Sequence, residues 1–212
     1  MDASIVWDCV MAPFVSGHAT LASARASHRR QIDTNLLGSI AVVRAALPSL
    51  RAQRKGLIVQ VSSEGGQIAY PGFSLYHATK WGIEGFVEAV AKEVAAFGIQ
   101  CLIVEPGPTS TQFGAGIDHG AWNDAYAGTP VDQVRQAIEG RSGAVFEFAD
   151  ADKTVDAMIR AFDSEPRPLR LALGRSAHTS IRDALAARLA EVQTQADVAV
   201  SVMPDALPGA NA

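Results

Sequence analysis

Glycine is scarce at the front of this chain: Gly17 and Gly38 are the only two before residue 56. A phosphate-cradling turn needs several glycines in close succession ahead of a helix, so none can be built there. Cysteine is scarce as well. Cys9 and Cys101 have neither metal-ligand nor redox spacing, and Cys101, inside Cys101-Leu102-Ile103-Val104, reads as a small core residue. No apolar run reaches the roughly 18 residues of a membrane span. The N-terminus has Asp2 where a signal peptide would carry basic residues. Basic charge is also in deficit. The net charge of −4 leaves no positive field for nucleic acid or anionic lipid. His18, His28, His119 and His178 share no metal spacing with carboxylates, so no metal site is expected. A soluble protein of a reducing cytoplasm fits these absences.

What remains, 212 residues with 48% hydrophobic and 19% charged, describes one globular domain over residues 1–200. Residues 1–28 lack clear periodicity, and 201–212 read as a disordered tail. Leu57-Ile58-Val59-Gln60-Val61 is a short β-branched run leading into Ser62-Ser63-Glu64-Gly65-Gly66, a buried strand and then a loop. Residues 99–104 form a second such run, broken by Glu105-Pro106-Gly107-Pro108, and 169–173 a third. Residues 5–10 could form one more. Between them lie helical patterns at 29–51, from a Ser74 cap to Gly98, at 154–162 and at about 180–195, with a short one at 130–139. Nearly all-apolar strands alternating with helices predict an α/β fold with a parallel sheet covered on both faces.

Tyr76 and Lys80 stand four residues apart on the second of these helices, on one face. An ammonium beside a phenol favours the phenolate and lowers the phenol pKa, which makes a general acid or base for a carbonyl or alcohol. Ligands bind beyond the carboxyl ends of parallel strands, so Ser63 and Tyr76 are expected in one crevice, near Glu105-Pro106-Gly107. Glu64 and Glu105 flank it. Asn35 is a polar residue in the middle of an apolar helix, where an exposed or back-bonded Asn at a bend is the plain alternative. Ser62 points to the opposite face by strand alternation. Ser63 lacks the Gly-x-Ser-x-Gly elbow of a hydrolase. His77, about 100° round the helix from Tyr76, reads as a surface or interface residue.

These residues, in this order and spacing, resemble the short-chain dehydrogenase/reductase family over about residues 29–113, and more loosely to 177. The resemblance implies a Rossmann-like doubly wound sheet, incomplete at its N-terminal side, and an NAD(P)-dependent oxidoreductase interconverting an alcohol and a carbonyl. It assigns Tyr76 as proton donor or acceptor. Lys80 tunes that phenol and holds the nicotinamide ribose. Ser63 orients the substrate carbonyl, and Asn35 supports a water-mediated relay to Lys80. Pro106, Gly107, Thr109 and Thr111 hold the nicotinamide carboxamide. Phe113, Trp122 and Tyr126 fall where the family carries a substrate lid, with a packed surface loop as the alternative. The helix faces beside Asn35 and Tyr76 resemble surfaces that make homodimers and homotetramers.

Two family features are missing. The glycine-rich cofactor turn is absent, and Val10-Met11-Ala12-Pro13 stands where an Asn-Asn-Ala-Gly-like segment would end a strand. A truncated or frameshifted product, or a wrongly assigned start, is therefore expected. The alternative function is a non-catalytic remnant unable to hold cofactor tightly.

Overall fold

The computed structural model describes residues 28–113, 117, 122–143 and 147–204, together with the backbone of 5–8, 14–15 and 118–119. Cys9, His18, the Val10-Met11-Ala12-Pro13 segment and residues 205–212 lie outside the described residues.

Four parallel strands form the main sheet: β1 (Ile5–Asp8), β3 (Gly56–Val61), β4 (Ile99–Pro106) and β6 (Arg170–Leu173), in the order β1-β3-β4-β6. Each pairs in parallel register, Ile58 opposite Cys101 and Val104 opposite Leu171. A second, two-stranded sheet joins β2 (Phe14–Val15) to β5 (Asp118–His119). The helices are α1 (Ser39–Gln53), α2 (Ser74–Val94), α3 (Pro130–Ile138), α4 (Ala151–Phe162), α5 (Arg175–Gln193) and α6 (Ala196–Ser201). A π-helical segment, Asp33–Gly38, runs directly into α1.

Strand alternation builds two cores. Ile58, Cys101 and Ile103 face α1 and α2, where Val43, Leu50, Ile83, Val87, Val90 and Val94 complete one cluster. Leu57, Val59, Val61, Leu102 and Val104 face the other way, onto Met158 and Ala161 of α4. Both strand faces are therefore covered, which is why β3 and β4 are mostly apolar, with Gln60, Gln100 and Glu105 the exceptions. Fully burying each Val, Leu or Ile contributes about 1.5–3 kcal/mol against exposure. Burial also raises the Cys101 thiol to about 11, as expected of an unreactive core residue.

The ends of elements follow local chemistry, with three departures from expectation. Gly98 takes φ +69° behind α2 and its short 3₁₀ extension, a left-handed position that suits glycine. Ser74 is the first residue of α2 rather than its cap. Phe73 occupies that position and supplies no side-chain cap. Helix α5 begins at Arg175, earlier than its apolar spacing suggests, and residues 196–201 form an exposed helix, α6, that no periodicity marked. Among the described residues, no helix is long and apolar enough to cross a membrane.

Candidate active site

The site forms where β3 and β4 end and α2 begins. Beyond Val61 the chain leaves the sheet, and the Ser62 hydroxyl donates to Glu84 Oε1, 2.6 Å away and about two turns along α2 from Tyr76. Ser63 caps a single 3₁₀ turn, Glu64–Gly66, with its Oγ accepting the Gly65 N–H at 3.1 Å. That same hydroxyl lies beside the Tyr76 phenol, near enough to favour its ionised form. One turn further along α2 lies Lys80, 2% exposed, whose Nζ donates to the Val61 carbonyl at 3.3 Å and lies 5.8 Å from the Tyr76 ring centre.

Asn35 reaches this group from the π-helical segment. The wider turn there changes which residues face inward, and such bulges concentrate at functional sites. Its Nδ2 donates to Thr79 Oγ1 at 3.5 Å, and Thr79 Oγ1 donates to the Tyr76 carbonyl at 2.8 Å. Asn35 is thus buried and tied to the Tyr76 turn through Thr79, which removes the exposed-Asn reading.

Pro106 ends β4, and the turn after it carries the remaining candidates. Gly107 N–H donates to the Leu173 carbonyl at 2.9 Å, and Thr109 Oγ1 donates to the Gly107 carbonyl at 3.0 Å. Thr111 is exposed, with its hydroxyl directed to the Thr109 carbonyl at 3.4 Å. The segment brings the Phe113 ring to 6.2 Å from that of Tyr76, edge to face. Trp122 instead stacks under the Arg135 guanidinium of α3, 4.3 Å away. Tyr126 lies in a short exposed turn, Asp124–Tyr126. Of the three aromatics expected near the site, Phe113 is the one packed against Tyr76.

Electrostatics reverse one expectation. The Tyr76 phenol is pushed up to about 12, chiefly by burial, against the Ser63 hydrogen bond that favours the phenolate and with the Glu64 charge opposing it. Burial outweighs the Ser63 contact, because a phenolate there would have lost its water. Tyr76 therefore holds its proton at neutral pH. Glu64 is also raised, by burial above all, while hydrogen bonds from Ser180 and Ser176 of α5 oppose the shift.

Two features escaped the sequence. His77 is not at the surface: it is 5% exposed, with both ring nitrogens engaged. Behind Ser62 lies a charge cluster. Arg170 Nε stands 3.4 Å from Glu84 and 3.3 Å from Glu105, and its Nη2 is 2.9 Å from Glu88. Gln67 Nε2 donates to Glu84 at 2.7 Å and to Glu105 at 3.3 Å. The available hints were a carboxylate four residues beyond Lys80 on the same face, and a cation opening an apolar strand. Glu105 does sit at the turn, but it belongs to this cluster and not to the crevice.

Burial first, then the charge and hydrogen bond of Glu84, push the Glu105 carboxyl up to about 8, against Arg170 and Gln67. The folded protein thus keeps a proton that the unfolded chain releases above about 4.5. This contribution to stability is fully present below that lower value and is lost as pH rises through the higher one. We expect melting temperature to fall between pH 5 and pH 9, and Glu105→Gln, which mimics the protonated acid, to flatten that slope. An unchanged slope in the variant would remove Glu105 as its cause.

A profile of the short chain dehydrogenases matches residues 15–122, half of the chain. The chain belongs to this family. An oxidoreductase of Botryotinia fuckeliana is 36% identical over 148 residues, 69% of this chain and 53% of that protein. An oxidoreductase of Passalora fulva is 40% identical over 111 residues, 52% of this chain and 51% of its own length. The chain thus spans about half the length of these curated relatives. A short-chain dehydrogenase of Streptomyces avermitilis superposes with TM-score 0.78 at 34% identity, covering 91% of this chain and 69% of that one. A short-chain dehydrogenase of Sphingobium yanoikuyae, solved with NADPH, shares the fold at TM-score 0.59 and 20% identity, covering 95% and 66%. The sheet of this short-chain dehydrogenase is accordingly the parallel, Rossmann-like sheet expected, and here it is a small one.

Proposed function

We propose that this short-chain dehydrogenase interconverts an alcohol and a carbonyl with NAD or NADP, using Tyr76 as proton donor and acceptor. The observation that carries the reading is the buried Tyr76 phenol beside the Ser63 hydroxyl, with Lys80 one turn away, at the carboxyl ends of β3 and β4. The residues present suit the nicotinamide end of such a cofactor. Lys80 and Tyr76 offer donors to the ribose hydroxyls, with Asn35 supporting Lys80. Pro106, Gly107, Thr109 and Thr111 would receive the carboxamide on backbone and hydroxyl groups. When bound, the cofactor supplies or accepts the hydride.

The protein then does three things. Ser63 donates to the substrate oxygen and orients it. Tyr76, protonated at neutral pH, passes its proton to that oxygen during reduction and takes it back during oxidation. Phe113 covers the Tyr76 ring and limits water at the reacting carbon. The substrate is a small carbonyl or alcohol met in a reducing cytoplasm. The exposed Leu37, Val42 and Trp81 on the segments beside Asn35 and Tyr76 suit association of identical subunits.

A second reading is a non-catalytic protein without tight cofactor binding. It would apply to these 212 residues taken alone, where only Gly17 and Gly38 precede residue 56 and no glycine-rich turn can be built to hold a pyrophosphate. The test is consumption of NADPH and NADH against a broad panel of aldehydes and ketones, alongside melting temperature with and without dinucleotide. Weak binding near 1 mM would stabilise by only about 0.4 kcal/mol at 1 mM cofactor. We expect a rise of roughly 1–2 °C at that concentration. A shift comparable to that of a tight binder would overturn the weak-binding expectation, and no turnover on any substrate would overturn the enzymatic reading.

A further inference from the structure

We propose that His77 is a positioning residue of this site: a neutral imidazole protonated on Nδ1 that clamps the loop between Ser63 and Tyr70 and so sets the Ser63 hydroxyl against Tyr76. The catalytic significance of the clamp rests on the function proposed above; its geometry does not.

Hydrogen-bond chemistry fixes the tautomer. Nε2 lies 3.1 Å from the Tyr70 backbone nitrogen, which can only donate, so Nε2 must carry a lone pair. Nδ1 lies 2.8 Å from the Gly65 carbonyl, which can only accept, so Nδ1 must carry the hydrogen. The other neutral tautomer faces donor with donor and acceptor with acceptor. An imidazolium would satisfy Gly65 and set its second N–H against that of Tyr70. Burial, the largest influence, lowers the proton affinity of His77, while the Gly65 carbonyl, which would strengthen its bond to a charged ring, acts in the opposite direction.

The clamp acts on Ser63 through Gly65. The residue whose carbonyl receives Nδ1–H is the one whose N–H donates to Ser63 Oγ at 3.1 Å. With one lone pair so occupied, Ser63 is free to donate its hydrogen to the Tyr76 oxygen, the direction that favours the phenolate. Gly65 also fits the ring closely. A Cβ there would lie 3.0 Å from His77 Nδ1 and 3.2 Å from Tyr76 Cε1. Tyr70, at 4.4 Å between ring centres and nearly perpendicular, closes one side of the imidazole, and Phe73 and Tyr76 stand near 6 Å. The titratable groups around it are Tyr70 and Glu64 from the loop and Tyr76 from α2. Glu64 is held away by Ser176 and Ser180 of α5, and Lys80 by Val61. Because His77 follows Tyr76 by one residue, the two side chains diverge by about 100° and grip the same loop at different points.

The experiment is nitrogen-15 NMR of the full chain, which needs no cofactor. At neutral pH the His77 ring should show a protonated Nδ1 and an unprotonated Nε2. His77→Phe keeps the volume and removes both bonds. It should speed exchange of the Tyr70 and Gly65 amides about tenfold, the value of one lost hydrogen bond, with β3 and β4 amides unchanged. His77→Gln, which carries one donor and one acceptor, should recover part of that protection. In turnover assays His77→Phe should lower kcat by about tenfold to a hundredfold, with KM for the dinucleotide within about twofold. An Nε2-protonated or doubly protonated ring, or unaltered loop exchange in His77→Phe, would overturn the clamp. Should His77→Phe fail to fold, the wild-type ring spectrum and His77→Gln still decide. Absence of turnover in the wild-type chain counts against the proposed function, while the NMR readouts judge the clamp separately.

Discussion

Tyr76→Phe should reduce carbonyl turnover by on the order of a hundredfold or more, since it deletes the group that passes the proton. The fold should survive. Phe fills the same volume, and Ser63 keeps its bond from the Gly65 N–H, so one neutral hydrogen bond is lost, about 1 kcal/mol. The measurement pairs turnover at saturating NADPH with a thermal melt. Near-full activity in a folded variant would remove Tyr76 from the reaction. The protonated state of the phenol adds a direction to this expectation. Reduction has its proton in place at neutral pH, whereas oxidation must first draw it off a group raised to about 12, so oxidation should gain more than reduction as pH rises.

The second large effect lies behind the site. Arg170→Met should destabilise the protein by about 3–5 kcal/mol, because Glu84 and Glu105 would keep their burial and lose their cation. For a chain of this size that is roughly 10 °C in melting temperature. The loss should grow with pH: with Arg170 present Glu105 ionises near 8 and is compensated, whereas without that cation ionising it leaves two carboxylates facing each other. Urea melts at pH 6 and pH 9 would measure this. Adding Glu105→Gln should return part of the lost stability at the higher pH. A loss below about 1 kcal/mol at both pH values would place the cluster among exposed ion pairs, which contribute little. Because Glu84 also receives Ser62 Oγ and Gln67 Nε2, the same variant should loosen the loop that carries Ser63.

The alternation of apolar strands with amphipathic helices was enough to place β3, β4, α2 and the Ser63–Tyr76–Lys80 group. Those elements are built from contiguous residues whose burial on both faces imposes a uniform composition, and the four-residue spacing of Tyr76 and Lys80 follows from helix geometry alone. Asn35 was legible for a related reason, an amide stranded in an apolar helix. Its π-helical setting was not, because the extra residue in that turn leaves no local mark.

Other features depended on residues far apart in the chain. His77 was expected at the surface because helical rotation separates it from Tyr76. It is buried because residues 64–73 fold across the start of α2, a path no periodicity encodes. Arg170 meets Glu84 across 86 residues of sequence. The proton on Tyr76 is the clearest case. Order and spacing along the chain bring phenol, ammonium and hydroxyl into one crevice, since local geometry and strand ends dictate that much. How strongly the phenol holds its proton depends on how much water the assembled fold removes, and that is a property of packing in three dimensions.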